Sequence, residues 1–99
     1  MAVVVQLRWD GVTPDQYETT REIVRWETDT PEGAIFHVAW FDEDGINVVD
    51  VWEAPEQFQA FVEGRLTPAT TQAGIQGEPK VEFSPAHRIF DAQHGTARS

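Results

Sequence analysis

The sequence contains no cysteine, which excludes disulfides, thiolate nucleophiles and cysteine-ligated metals. Positive charge is scarce: seven Lys and Arg stand against seventeen Asp and Glu, a formal net charge of −10. Nucleic acids and anionic membranes need clustered cations, so neither is an expected partner. The acidic balance reads as a solvated surface that favours solubility. No apolar run approaches the roughly 20 residues of a membrane span. The opening MAVVVQLRWD lacks the basic segment of a secretory signal, so a cytoplasmic location is the expectation. The glycines form neither a dinucleotide-binding nor a Walker pattern. No Gly-x-Ser-x-Gly elbow is present, and Ser84 has no evident activating base. The histidines are scattered, without His-x-His or Glu-x-x-His spacing, so no metal and no cofactor is expected.

What is abundant is aromatic surface. Four Trp, six Phe and one Tyr occur in 99 residues. That length makes one domain, which buries only roughly 60–65% of its unfolded surface, so large rings help to stabilise a small core or line a pocket. AVVVQLRW (2–9) is apolar on both alternating faces and predicts a buried strand. Thr13, Pro14 and Gln16 form a helix-start signature. The helix is expected over about 14–26, with Tyr17, Thr20, Ile23 and Val24 inward. AIFHVAWF (34–41) and INVVDVWE (46–53) read as strands joined by the turn DEDG (42–45). Pro55 opens a second helix whose Phe58, Phe61, Val62 and Leu66 fall at i, i+3, i+4 and i+8. Thr67-Pro68 is expected to restart a short helix that Gly74 ends. Residues 79–90 hold the last strand, and 91–99 read as a polar, flexible tail.

The order β-α-β-β-α-β is the ferredoxin-like arrangement, an α+β fold with an antiparallel four-stranded sheet. Two helices cover one face of such a sheet, yet the first three strands are apolar on both faces. A bare face would exceed the few hundred Å² of apolar patch usual for monomers. The expected remedy is a homodimer, its two sheets packed into a barrel-like core.

Asp50 interrupts the apolar run VVDVW. If DEDG forms a three-residue loop with Gly45 at a bulge, Val38 lies opposite Asp50, and Phe36, Val38 and Trp40 share its face. A two-residue turn shifts the register by one and brings His37 to that side. The first register is expected, because Gly45 suits the bulge, and the helices should cover the Asp50 face. A carboxylate among aromatic rings is desolvated, a condition suited to a general base. The competing reading is a structural carboxylate held by Arg8, Arg65 or a backbone amide. His37 reads either as an acid–base group or as a hydrogen-bonded histidine in the dimer core. His87 is placed at the pocket mouth or against the partner subunit, and His94 in the tail is inert. Trp9, Trp26, Trp40, Trp52, Tyr17, Phe36, Phe58 and Phe61 suit a core, or a cleft for a flat aromatic ligand. Arg65, on the same helix stripe, snorkels to water, pairs with Asp50 or meets an anionic ligand group.

The hairpin FHVAWFDEDGINVVDVWE, followed by Pro-Glu-x-Phe-x-x-Phe and a late Pro-x-His, resembles the dimeric α+β barrel superfamily. It looks most like the small actinobacterial proteins related to antibiotic biosynthesis monooxygenases. The resemblance covers about residues 2–90 and implies the fold and a two-chain assembly. It also implies a range of functions: cofactor-free monooxygenases, lactone isomerases, polyketide cyclases, haem-degrading enzymes and proteins with no known activity. The haem-degrading members use a helix-borne histidine, and neither helix here has one, although Trp52 matches their tryptophan. The reading carried forward is an enzyme acting on an aromatic or polyketide-like molecule by proton transfer. Asp50 would be the base, assisted by His37 or His87. The pocket would be built from Trp40, Trp52, Phe36, Tyr17, Phe58, Phe61 and Arg65. The alternative is a non-catalytic ligand-binding or accessory dimer.

Overall fold

The computed structural model describes residues 1–91 and 96–98. Strands β1 (Val3–Asp10), β2 (Ala34–Phe41), β3 (Gly45–Trp52) and β4 (Lys80–Pro85) form one antiparallel sheet in the order β2-β3-β1-β4. Helix α1 (Pro14–Val24) connects β1 to β2, and α2 (Pro55–Phe61) follows β3. This is the ferredoxin-like architecture expected. A short ribbon pairs β5 (Ile89–Asp91) with β6 (Thr96–Arg98). His94 lies outside the described residues.

Helix α1 starts as its sequence dictates. The Thr13 hydroxyl accepts from the Gln16 amide, and the Gln16 side chain accepts from the Thr13 amide, a complete capping box. Pro14 occupies the first turn, where its missing N–H costs nothing. The helix stops two residues earlier than expected, because Arg25 turns into the left-handed region at φ 57°. Thr20 and Val24 are buried and Tyr17 is partly covered, but Ile23 is exposed rather than inward.

Helix α2 does not break at Thr67-Pro68. It runs through a π-helical turn, Val62–Leu66, into α3 (Thr67–Gln72). Pro68 brings no amide and its ring crowds the carbonyl four residues back. The wider turn relieves that conflict: the Thr67 amide reaches the Val62 carbonyl, five residues back. The Phe58, Phe61, Val62, Leu66 stripe is kept, with both phenylalanines in the core and the other two packed against it.

The β2–β3 register differs from the one expected. Phe41 pairs with Ile46 and His37 with Asp50, the arrangement of a two-residue turn. The cause lies at Gly45, which is absent from the positive-φ glycines. A methyl group there would collide with the Trp9 carbonyl. Gly45 therefore serves close approach to β1 rather than a left-handed bulge. The turn is closed by Asp42, whose carboxylate accepts from the Asp44 and Gly45 amides at 2.9 and 3.1 Å. Arg8 and Asn47 also donate to it, and the Arg8 guanidinium, first among these partners, holds this carboxyl well below the usual carboxylate range.

One consequence is that side chains change faces. His37, Ala39 and Phe41 now join Ile46, Val48, Asp50 and Trp52 under the helices. Phe36, Val38 and Trp40 lie on the opposite face, 52%, 39% and 49% exposed. The core sits between helices and sheet, built on Val3, Val5, Val24, Trp52, Phe58, Phe61 and Ala69.

Candidate functional site

The new register creates the site. His37 and Asp50 face each other on adjacent strands, and the His37 Nδ1 lies 2.6 Å from the Asp50 Oδ1. Asp50 is buried, 5% exposed, and its second oxygen accepts the indole N–H of Trp52 at 3.2 Å. With Asp50 accepting as a carboxylate and His37 in its neutral form, Nδ1 is the donor and Nε2 the acceptor; the Tyr17 hydroxyl, projected from α1 and 2.8 Å from Nε2, then donates to it. Burial pushes the Tyr17 phenol up, so it stays protonated at neutral pH. The result is a directed chain, Tyr17 to His37 to Asp50, with Trp52 anchoring the far carboxylate oxygen.

This chain opens on a largely apolar cavity of about 100 Å³ between helices and sheet. Tyr17, His37 and Asp50 line one side, with Leu7, Trp9, Trp26, Phe58 and Phe61 among the other walls. The Trp26 ring stands 5.0 Å from that of His37 and 5.6 Å, edge-on, from that of Trp52. Arg21 and Glu27 also line the cavity. They form a two-point ion pair, 3.1 Å and 3.0 Å between their nitrogens and oxygens.

The expected site residues separate into those brought together and those sent elsewhere. Asp50, His37, Tyr17, Phe58 and Phe61 converge on the cavity. Trp52 is completely buried and touches the site through its N–H to Asp50. Phe36 and Trp40 lie across the sheet, for the register reason given above. His87 is exposed on the segment between β4 and β5. Asp50 is held neither by Arg8 nor by Arg65. Arg8 pairs with Asp10 and Asp42. Arg65 donates to the carbonyls of Val24 and Asp29, capping the C-terminal end of α1. It thereby ties down the turn that carries Trp26.

Arg21 and Glu27 are not singled out by their sequence positions, whereas Trp26 is among the rings suited to a core or an aromatic cleft, and it lines the cavity. Among the described residues no group of three or more His, Asp or Glu side chains converges on a metal-sized point.

No protein-family model matches the chain, and no curated protein matches it. Solved structures do. The cofactor-independent oxygenase SnoaB of Streptomyces nogalater is 16% identical, with 87% of this chain and 92% of that one covered and a TM-score of 0.60. The monooxygenase ActVA-Orf6 of Streptomyces coelicolor, solved with nanaomycin D, is 20% identical over 92% of each chain, with a TM-score of 0.50. NE2512 of Nitrosomonas europaea, of unknown function, is 15% identical over 84% of this chain and 86% of that one, with a TM-score of 0.61. The chain shares its fold with these solved structures, the cofactor-independent oxygenase SnoaB and the monooxygenase ActVA-Orf6 among them.

Proposed function

We propose that this chain is a cytoplasmic small-molecule enzyme that moves a proton from an aromatic substrate, with His37 as the base. The observation that carries this reading is the hydrogen-bonded chain Tyr17–His37–Asp50 at the wall of an apolar cavity. Asp50 is the orienting carboxylate rather than the base itself, because both of its oxygens are already engaged. It fixes the imidazole tautomer and stabilises the imidazolium that forms, the logic of a carboxylate–histidine pair. The substrate proton reaches His37 Nε2 either through the Tyr17 oxygen or after Tyr17 swings aside. The likeness to a cofactor-independent oxygenase supports reaction of the resulting anion with dioxygen as the branch to test first. Isomerisation or cyclisation would need the proton transfer alone.

The same reading includes a homodimer. The uncovered sheet face carries Phe36, Val38 and Trp40, with Val49 and Val51 of β3 beside them. A second copy would cover this patch.

The test is turnover of a panel of hydroxylated aromatic compounds, followed by product formation and oxygen uptake, with the wild type and His37→Asn. Removing a general base costs about 10²–10⁴-fold. Equal turnover by both proteins would remove His37 from the mechanism. A non-catalytic ligand-binding protein is the second reading, favoured by one observation: Asp50 is fully hydrogen-bonded in the resting chain, as a purely structural carboxylate would be.

A further inference from the structure

We infer that the loop after α3, residues 74–78, is a hinged strap across one end of the cavity, latched by the indole of Trp9, and that a ligand enters when it lifts. The inference needs only the cavity and the loop. It stands whether or not His37 moves a proton.

The strap has an inner and an outer side. It reads Gly-Ile-Gln-Gly-Glu, and of these residues only Ile75 is partly buried. Ile75 lines the cavity. Gln76, Gly77 and Glu78 line a separate outer pocket with Arg8, Asp10 and Lys80. Trp9 borders both spaces. It also borders a larger cavity of about 300 Å³ that shares Leu7, Phe58, Leu66 and Thr70 with the first. A single turn of chain and one indole ring therefore divide the apolar interior from the surface.

The hinges are the two glycines. Gly74 and Gly77 stand at φ 80° and 78°, the left-handed region that glycine enters without a Cβ penalty. A Cβ at Gly74 would meet nothing within 4 Å, and one at Gly77 would reach only the Trp9 ring nitrogen, at 4.0 Å. Backbone conformation rather than space calls for glycine at both. Pro79 follows with a fixed φ just before β4, which limits rotation to the stretch before it.

Three hydrogen bonds hold the strap down. The Ile75 amide donates to the Thr70 carbonyl at 3.0 Å, closing the end of α3. The Gln16 side chain donates to the Gly74 carbonyl at 3.2 Å. Both sit at the first hinge. The span between the hinges is held by the Trp9 indole, which donates to the Gln76 carbonyl at 2.8 Å. Trp9 belongs to β1 and is paired with Ile46 of β3, so the latch is fixed to the sheet while its acceptor rides on the loop. Water replaces these bonds when the strap lifts, so the net loss per bond is small.

The position suits an entrance. Trp9 lies four residues along β1 from Val5, the residue paired with Asp50, a distance of about 13 Å at the rise of a strand. Lifting the strap opens the cavity at the end away from His37 and Asp50, and it breaks none of the bonds of the Tyr17–His37–Asp50 chain.

Hydrogen exchange of the indole N–H groups in the full chain tests the latch. Trp52 is the internal reference, because it has no exposed surface and its N–H is held by Asp50. The Trp9 N–H should exchange at least about tenfold faster than that of Trp52, at a rate that low denaturant leaves unchanged, the mark of a local opening. Two variants then test entry with 4-fluorotoluene as an apolar probe, followed by fluorine NMR. Trp9→Phe keeps an aromatic wall and removes the latch bond. Gly77→Ala leaves the cavity wall intact, since Gly77 does not line it, and strains the closed strap. Each should speed exchange of the probe between free and bound forms by about tenfold, the worth of one hydrogen bond or of one forced left-handed residue, with little change in Kd. A Trp9 N–H that exchanges no faster than that of Trp52, or a wild type that takes up no probe at millimolar concentration, would overturn the inference. So would unchanged probe exchange in both variants. A rate raised by Trp9→Phe alone would assign the effect to the reshaped wall and would also count against the strap.

Discussion

His37 and Asp50 are directly opposed across the β2–β3 ladder, with 2.6 Å between Nδ1 and Oδ1. That contact is short even for a charge-assisted N–H···O bond, and it is set by backbone register rather than by side-chain reach. The chemistry proposed for the cavity depends on this pair and on the hydroxyl of Tyr17 that completes it.

Asp50→Asn should lower turnover by at least about a hundredfold while the fold persists. Asparagine is isosteric, and its carbonyl can still accept from Trp52. Its amide nitrogen then faces His37 Nδ1, two donors in opposition. The imidazole relieves this by moving its proton to Nε2, which can no longer accept from Tyr17. Steady-state kinetics on any turned-over phenol, together with a circular dichroism spectrum, checks both halves of the prediction.

Trp52→Phe isolates the anchor from the ring. Trp52 has no exposed surface and packs edge-on against Trp26 and Phe58. Losing the indole N–H strands one oxygen of a buried carboxylate, and losing the second ring leaves a void. The expected destabilisation is roughly 2–4 kcal/mol, read from denaturant midpoints. An unchanged midpoint would show that the Trp52–Asp50 contact contributes nothing.

Much of the fold was legible in the sequence, and the reasons are local. The Thr13–Gln16 capping box and Pro14 mark the start of α1 through bonds that close within one turn. The stripe from Phe58 to Leu66 marks the second helix through a periodicity that burial enforces. The hairpin register was not legible. Gly45 supports either a left-handed bulge or a close backbone approach, and the Trp9 carbonyl that decides between them lies on a strand far away in the chain. That one ambiguity moved Phe36 and Trp40 off the site and His37 onto it. The Tyr17–His37 bond was hidden for a similar reason, since its partners meet only after α1 packs across the sheet. Arg65 had several plausible partners, and the vacant carbonyls at the end of α1 were not visible until that helix stopped at Val24.

Tyr17 gives the chain an alkaline limit. Burial raises its folded-state value above that of a free phenol, so the protonated form is favoured by folding. The stabilisation is fully present below about pH 10, the ordinary tyrosine value, and is lost as pH rises through the elevated folded value. Tyr17→Phe should remove this component of the alkaline stability loss. The check is the difference in unfolding free energy between the two proteins, which should be constant from about pH 7 to 9 and move in favour of the variant above pH ~10.

The open sheet face makes a separate prediction. Val38 and Trp40 are 39% and 49% exposed, and a second copy covering them would shield both. Sedimentation at micromolar concentration should give about twice the 11.2 kDa chain mass. Val38→Lys should shift it toward the single chain by placing a charge at the centre of the interface. A wild type that sediments as one chain would contradict the dimer.

The most direct test of the proton relay is the nitrogen NMR spectrum of His37 itself. Long-range proton–nitrogen correlations distinguish a protonated ring nitrogen from a bare one. The relay predicts that in the neutral imidazole Nδ1 carries the proton and Nε2 is bare, and that Asp50→Asn reverses the two. A proton on Nε2 in the neutral wild-type ring would leave Tyr17 without its acceptor, and the relay would be contradicted.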